Sequence, residues 1–191
     1  LLLIGGWRIT YKKLARRGLM IEIYHNTITS NQCESIINSF NKDNRKKKGK
    51  IFGGDVIEIG TYTDEVVKGV KDSVDLMCDF NDDDYKNPYN KILSPAVSKC
   101  IDQYVYKYMF LNDYYPFYLN CSYNIQYYGE GQGFSRLHCE HRPDIDVPVF
   151  DRMMAWMIYL NDAQCGTYFP HQEIITQAVL GDCVLWPAYW T

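Results

Sequence analysis

The chain has 191 residues and a mass of 22.4 kDa, with 47% hydrophobic, 15% aromatic and 23% charged residues. A domain of this size buries roughly 70% of its unfolded surface without a disulfide or a metal, and the composition excludes a disordered, collagen-like or coiled-coil chain. The net charge of −3 gives no electrostatic reason to propose nucleic acid as a partner. The 17 tyrosines and 4 tryptophans are typical of a β-rich protein with an aromatic-lined cavity.

The seven cysteines match no disulfide or zinc pattern. Their number is odd, and no two of them have C-x-x-C spacing. Reduced thiols are the simplest interpretation, which predicts a cytoplasmic, intracellular protein. No window approaches the roughly 18 apolar residues of a membrane span, so no membrane partner is expected. The sequence carries no signal for the oligomeric state.

Residues 1–19 do not resemble the start of a folded domain. They begin with the apolar run LLLIGGW and then become basic, which is the reverse of the order in a signal peptide. Met20 is followed at once by a strand-like segment. We therefore expect Met20 to be the natural start and residues 1–19 to be a non-native or disordered extension, with an ordinary N-terminal extension as the alternative. Residues 20–191 are expected to form a single domain.

Two helices are predicted in the N-terminal part of the chain. Thr29 and Gln32 form a capping box, and the residues after them place apolar side chains on one helical face. That face consists of Cys33, Ile36, Ile37 and Phe40. A second helix is predicted to begin at Ser94, the N-cap, with Pro95 in the first helical position. Its apolar face, wide enough to pack on a sheet, consists of Val97, Cys100, Ile101, Tyr104, Val105 and Tyr108.

The stretch between the two helices is ambiguous. Residues 63–79 carry valines at helical spacing, but residues 73–77 alternate like a strand, so both interpretations stay open. The acidic run 82–84 lacks the glycine and the closing glutamate of a calcium-binding loop. We predict an ordinary loop there.

From residue 123 onward the pattern changes to short strands separated by glycine turns. Strands are predicted over residues 123–128, 152–160, 174–179 and 183–186. The second of these is almost continuously apolar, which predicts burial on both faces. Helices followed by a block of strands indicate an α+β fold whose β part is a sandwich or a barrel.

One cluster carries metal-ligand chemistry, the segment 137–141 (LHCEH). On a strand His138 and Glu140 point to the same face, because side chains alternate. An imidazole and a carboxylate placed in this way are two corners of the two-histidine, one-carboxylate site that binds iron. H-x-E alone is a weak signal, since many chains contain one by chance. Cys139 is predicted to point away into the core, and His141 to lie in a loop.

Five motifs in a fixed order give this pair a context. They are residues 127–134 (YYGEGQGF), 138–140 (HCE), 152–161 (ending YLN), 165–170 (CGTYFP) and 181–186 (GDCVLW). They resemble the Y-x-P-G turn, the H-x-D metal motif, the R…Y-L-N strand, the G-G-x-T-x-F-P turn and the G-x-a-l-x-F/W strand of prolyl-4-hydroxylase-type oxygenases that depend on iron(II) and 2-oxoglutarate. The similarity covers residues 124–191 and is closest to the small versions found in marine phages and bacteria.

The resemblance implies a double-stranded β-helix, a cupin-like jelly roll, with N-terminal helices packed on the major sheet. It implies a dioxygenase that holds iron(II) through His138, Glu140 and a distal histidine, with 2-oxoglutarate as co-substrate and ascorbate as a further candidate cofactor. Tyr127 and Tyr159 lie where they could hydrogen-bond the co-substrate carboxylates, and core or cross-strand packing is the alternative for both. The expected reaction is hydroxylation of a C–H bond in a prolyl or other peptidyl residue, or in a small molecule, with release of succinate and carbon dioxide.

The sequence departs from the family pattern in three places. The carboxylate is Glu140 rather than the commoner aspartate, which keeps the charge on a side chain one methylene longer. The first glycine of the G-G pair is replaced by Cys165, before Gly166. In the family's order the distal histidine and the basic residue for the far carboxylate would follow Thr191, so the domain is expected to be C-terminally incomplete. His171 is a candidate substitute ligand.

Two other functions fit the same residues. An inactive, truncated paralogue would keep two metal ligands, and two ligands bind iron far more weakly than a facial triad. A cupin-type binding protein would use the same barrel to hold a ligand without turnover. A third metal ligand and a basic group for the keto acid would favour the oxygenase over both.

Overall fold

A computed structural model describes residues 20–49, 70–83, 87–113, 119, 122–140 and 153–188. The predicted extension 1–19 and the loop residue His141 lie outside these residues. The described elements are β1 (Glu22–Tyr24), α1 (Ser30–Lys42), β2 (Lys47–Lys48), β3 (Val74–Asp79), α2 (Asn90–Lys107), a 3-10 helix (Met109–Asp113), β4 (Ser122–Tyr127), β5 (Met154–Ile158), β6 (Tyr168–Phe169), β7 (Ile174–Ile175) and β8 (Cys183–Pro187).

The predicted capping box begins α1. The Thr29 hydroxyl accepts from the Gln32 amide at 3.3 Å, and the Gln32 side chain accepts from the Thr29 amide at 2.8 Å. Each bond satisfies an amide that the helix itself leaves without a partner. The predicted apolar face is confirmed, since Cys33, Ile36 and Phe40 are buried.

Asp43 ends α1 and is held by an arginine two residues later. Its carboxylate accepts from the Arg45 guanidinium at 2.7 and 3.0 Å and from the Tyr89 hydroxyl at 3.3 Å. The hydrogen bonds from Arg45 lower the pKa of Asp43 to about 2. Because the folded pKa lies below the unfolded one, the stabilisation is present above the unfolded pKa and is lost as the pH falls towards the folded pKa.

Asp43→Asn should therefore destabilise the protein at neutral pH and not in acid. We expect a loss of about 1 kcal/mol at pH 7, a modest figure because the Arg45 side chain is 42% exposed and solvent screens the pair. Urea unfolding of both proteins, repeated at several pH values down to about 2, measures the difference. A difference that persists unchanged in acid would contradict this account of the pair.

The second helix begins earlier than predicted. α2 starts at Asn90, so the predicted start at Ser94 is wrong and Pro95 lies inside the helix. The helix is extended upstream because Tyr89 and Asn90 are buried, with Tyr89 bonded to Asp43 at the end of α1 and Asn90 bonded to the preceding loop, contacts that sequence spacing does not reveal. The predicted apolar face is confirmed, since Val97, Cys100 and Tyr104 are buried.

Asn90 organises the loop between β3 and α2. Its side-chain amide donates to the carbonyl oxygens of Asp79 at 3.0 Å and of Asp82 at 3.2 Å. Its side-chain oxygen accepts from the buried Tyr123 hydroxyl at 2.9 Å. The Asn90 side chain thus gives hydrogen-bond partners to two loop carbonyls and to the Tyr123 hydroxyl, as buried polar groups require.

We expect Asn90→Asp to lower the free energy of unfolding by about 1–3 kcal/mol, because a carboxylate cannot donate to the two loop carbonyls. Denaturant unfolding at neutral pH checks this value. Tyr123→Phe is the comparison, since it removes the donor on the other side of the same amide. Equal unfolding midpoints for wild type and Asn90→Asp would contradict the assignment of these donors.

The described strands form two three-stranded sheets and a hairpin. The first sheet has the order β1-β8-β5 and the second the order β2-β3-β4, and β6 pairs with β7. All the pairings are antiparallel. In the ambiguous stretch 63–79, residues 74–79 form the strand β3, while residues 63–69 lie outside the described residues. The predicted strand 174–179 is shorter, because Ile174–Ile175 pairs with β6 and Ala178 then forms an isolated bridge with Ala163.

The first sheet is covered on both faces, but β5 is less buried than its apolar pattern predicts, since only Ala155 of Met154–Ile158 is buried and the others are half-buried. On one face Cys183 and Leu185 pack with Cys100 and Tyr104 of α2. On the other face the core consists of Ala155, Phe169, Val184 and Trp186, with Met157, Tyr159 and Ile174 packed against it. A helix therefore lies on one side of β8 and the β6–β7 hairpin on the other.

The described residues thus combine helices with antiparallel sheets, an α+β arrangement. Their separate sheets do not by themselves define a jelly roll, so the double-stranded β-helix stays a prediction. Neither helix in these residues has the length and apolar content needed to cross a membrane. The described cysteines form no disulfide with one another.

Candidate metal centre

The turn after β4 docks onto the residues that precede β3. The Ser135 amide donates to the Val70 carbonyl at 2.9 Å, and the Asp72 amide donates to the Gly133 carbonyl at 2.9 Å. Between these two bonds Phe134 forms an antiparallel bridge with Lys71. The chain that leads into the H-x-E motif is therefore fixed to a segment about 60 residues upstream.

The motif itself connects to the end of the first sheet. The Glu140 amide donates to the carbonyl of Ala188, the residue directly after β8, at 3.1 Å. The structure thereby joins the motif 138–140 to the residue that follows β8, the strand that contains most of the motif 181–186. The candidate ligands lie in a segment that is bonded at one end to the residues before β3, in the second sheet, and at the other end to the residue after β8, in the first sheet.

His138 and Glu140 face each other, as the sequence predicts. The His138 Nε2 atom lies 3.5 Å from the Glu140 Oε1 atom, and the side chains are 43% and 33% exposed. The residues are not in a strand, however, and this corrects a further expectation. Cys139 is exposed rather than part of the core, because the local backbone does not alternate between a buried and a solvent face.

The hydrogen bond at Nδ1 fixes the tautomer of the His138 imidazole. Its Nδ1 atom lies 2.9 Å from the Arg136 carbonyl oxygen, which can only accept, so Nδ1 carries a proton. In the neutral imidazole the Nε2 lone pair then lies towards the Glu140 carboxylate. The hydrogen bond to Glu140 raises the pKa of His138, while burial acts in the opposite direction. Two electron-pair donors 3.5 Å apart are stabilised by a cation, either a proton on Nε2 or a metal ion.

Two residues beside the pair were not singled out from the sequence as site residues. The Phe134 ring stacks on the His138 imidazole, with centroids 4.2 Å apart and planes at 19°. The Lys71 Nζ atom lies 5.6 Å from the centroid of the same ring. Phe134 occupies the aromatic position of the turn motif 127–134, whereas no motif in the sequence marks Lys71 as part of a site.

The two tyrosines predicted for the co-substrate lie in different settings. The Tyr159 hydroxyl hydrogen-bonds the hydroxyls of Thr176 at 2.8 Å and of Thr167 at 3.3 Å, on the hairpin side of the first sheet. Tyr127 ends β4 opposite Val74 and is 57% exposed. Tyr159 therefore makes the cross-strand contacts that were its alternative interpretation, and the role of both residues towards a co-substrate stays a prediction.

A third metal ligand is not found in the described part of the chain. Within it, no group of three or more His, Cys, Asp or Glu side chains is arranged to hold a metal ion. His171 lies in the turn between β6 and β7, is exposed, and does not complete the pair. His25 is structural, since its Nδ1 atom lies 2.7 Å from the buried Asp182 carboxylate.

Comparison of the chain with protein-family models, with curated proteins and with solved structures finds no match. The resemblance in the five motifs therefore stays a prediction. The function has to be argued from the geometry of the H-x-E segment and from the elements that hold it.

Proposed function

We propose that the chain binds iron(II) through His138 and Glu140 and uses 2-oxoglutarate to hydroxylate a C–H bond in a peptidyl or small-molecule substrate. The observation that carries this proposal is the donor pair itself. His138 Nε2 and Glu140 Oε1 lie 3.5 Å apart, and the Arg136 carbonyl holds the opposite nitrogen of the imidazole. An imidazole with its second nitrogen hydrogen-bonded is the usual form of a metal-ligating histidine.

The spacing of the pair fits one metal ion. With metal–ligand bonds of about 2.1 Å at a right angle, two ligand atoms lie about 3 Å apart. The observed 3.5 Å needs only a small rotation of two half-exposed side chains to reach that value. Imidazole with carboxylate is also the donor set of the iron(II) oxygenases.

The described fold supports the same proposal. β5 and β8 correspond to two predicted barrel strands, and they pair antiparallel between a helix and a β hairpin. The H-x-E segment joins the end of β8 through the Glu140 amide. A double-stranded β-helix with the ligands at its rim would have this local arrangement.

Each residue has a distinct task in the proposed reaction. Bound iron supplies the activation of dioxygen, coupled to oxidative decarboxylation of 2-oxoglutarate to succinate and carbon dioxide. His138 and Glu140 would hold the iron, and the Glu140 carboxylate would offset part of its charge. The Tyr159 hydroxyl, already placed among two threonine hydroxyls, is the candidate donor to a co-substrate carboxylate. Ascorbate, if required, would keep the iron reduced.

An intracellular location belongs to the same proposal. Iron(II) persists under reducing conditions, and so do unpaired thiols. The described cysteines form no disulfide, which agrees with such a compartment.

Release of succinate tests the proposal directly. The full chain is incubated with iron(II), 2-oxoglutarate and oxygen, and succinate is quantified against a protein-free control. We expect iron-dependent succinate that falls at least about 100-fold in His138→Ala, since losing a ligand should cost more than the 10–100-fold of an outer contact. His171→Ala is the matched control, because His171 is an exposed histidine outside the pair. A chain that neither releases succinate nor binds the metal would overturn the proposal.

A binding protein without turnover is the second candidate. It is favoured by the finding that the described residues supply two ligands rather than three. Metal binding that depends on His138, without any succinate, would establish this role and exclude the oxygenase.

A further inference from the structure

The imidazole of His138 is stacked on one neighbour only among the described aromatic rings. The Phe134 ring lies 4.2 Å from it, centroid to centroid, with the two planes at 19°. His138 is otherwise 43% exposed, and a hydrogen bond at Nδ1 still allows the ring to tilt about that bond. A second contact across the flat face is needed to fix the plane of the imidazole.

Phe134 is itself held from the Lys71 side. The backbones of Phe134 and Lys71 form a bridge, and the Lys71 ammonium lies 5.6 Å from the centre of the ring, within the range of a cation–π contact. Lys71 is only 4% exposed. A buried charge of this kind is tolerated when it is paired.

The partner of Lys71 is Asp75 at the start of β3. The Lys71 Nζ atom lies 2.7 Å from Asp75 Oδ2, and the Ser73 hydroxyl donates to Asp75 Oδ1 at 2.8 Å. The Gln126 amide of β4 reaches Asp75 Oδ2 at 3.4 Å. The lysine is therefore fixed by the second sheet, so Phe134 is anchored to a rigid element and not only to its own turn.

We propose that Phe134, braced by Lys71, is the positioning residue of the candidate metal centre. It sets the plane of the His138 imidazole so that Nε2 stays opposite the Glu140 carboxylate. The consequence for metal affinity rests on the proposed function, whereas the orientation of the imidazole can be measured in the metal-free chain. Lys71 and its partner Asp75 lie outside the segment 124–191 that carries the family resemblance.

Proton NMR of the metal-free chain tests the orientation. The His138 ring signals are assigned by their loss in His138→Gln. We expect them upfield of the signals of exposed His171, because they lie over an aromatic face, and we expect NOEs between the rings of Phe134 and His138. We expect the imidazole nitrogens to show the Nδ1–H tautomer. Phe134→Leu should move the ring signals to the values of His171, while Phe134→Tyr should keep them in place.

Co²⁺ alone probes the consequence for the metal. We expect Phe134→Leu to weaken Co²⁺ binding about tenfold and Phe134→Tyr to change it less than about twofold. Lys71→Met, which keeps the stem but removes the charge, should weaken binding by a smaller factor. Lys46→Met is its matched control, since Lys46 makes a similar contact with Phe40 away from the motif. Phe110→Leu is the control for loss of a ring.

The outcomes separate the two proposals. Unshifted His138 signals in wild type, or shifted signals that survive Phe134→Leu, would overturn the positioning role. Shifted signals that depend on Phe134, in a chain that does not bind Co²⁺, would support the positioning role and overturn the proposed function. If Phe134→Leu does not fold, the positioning role is decided by the NOEs between Phe134 and His138 in the wild type and by the Co²⁺ affinity of Lys71→Met.

Discussion

Glu140→Gln is expected to weaken Co²⁺ binding at least about 100-fold, whereas Glu140→Asp changes it by less than about tenfold. Glutamine has the same shape but lacks the anionic oxygen, so it replaces a ligand by a weak neutral donor. Aspartate keeps the charge on a side chain one methylene shorter. The backbone bond from residue 140 to Ala188 holds the position of the side chain in both variants.

Calorimetric titration of the two variants with Co²⁺, at a pH where His138 is neutral, measures this difference. Glu173→Gln is the matched control, because Glu173 is an exposed glutamate in the β6–β7 turn. If Glu140→Gln binds as tightly as wild type, Glu140 is not a ligand and the iron proposal fails. If Glu140→Asp loses as much as Glu140→Gln, the length of the side chain matters as much as its charge, and the longer carboxylate is required by this backbone.

Local rules account for the elements that the sequence predicts well. The Thr29–Gln32 capping box needs only residues three apart, and the predicted apolar face of α1 follows from the helical period. The apolar run of β5 predicts a strand with neighbours on both faces, which it has, although only Ala155 of Met154–Ile158 is buried. These features depend on neighbours in sequence, which is why they could be read from it.

The errors arise where distant contacts override a local signal. Pro95 is a good first helical residue, but the buried Asn90 and its bonds to the β3–α2 loop start the helix earlier. Alternation on a strand predicts that Cys139 lies in the core, but Cys139 is exposed. Its segment is held instead by bonds to Val70 and Ala188 at its two ends, and these do not impose a strand.

The site could be predicted in part for the same reason. His138 and Glu140 are two residues apart, a spacing that places both side chains on one face of an extended backbone, so their proximity could be predicted from the sequence. Lys71 could not be found, because its approach to Phe134 depends on the pairing of residues more than 60 positions apart. The threonine partners of Tyr159 likewise come from the hairpin beyond β5.

The second large effect, on the free energy of unfolding, is expected at Gly166, which lies in the turn motif 165–170 directly after Cys165. The carbonyl of the preceding Cys165 accepts from Ala178, and that of the following Thr167 accepts from Thr176. A Cβ on Gly166 would overlap the Thr176 carbonyl oxygen. This close approach also holds the Thr176 hydroxyl in reach of Tyr159 at 2.8 Å.

Gly166→Ala should therefore lower the free energy of unfolding by about 3 kcal/mol, since backbone atoms must separate and the hairpin must shift. Gly131→Ala is the matched control, because a Cβ there meets no atom within 4 Å although φ is +74°. We expect about 1 kcal/mol from that unfavourable dihedral alone. Urea unfolding compares the three proteins. A loss in Gly166→Ala no larger than in Gly131→Ala would contradict the close contact, and with it the placement of the threonine hydroxyls around Tyr159.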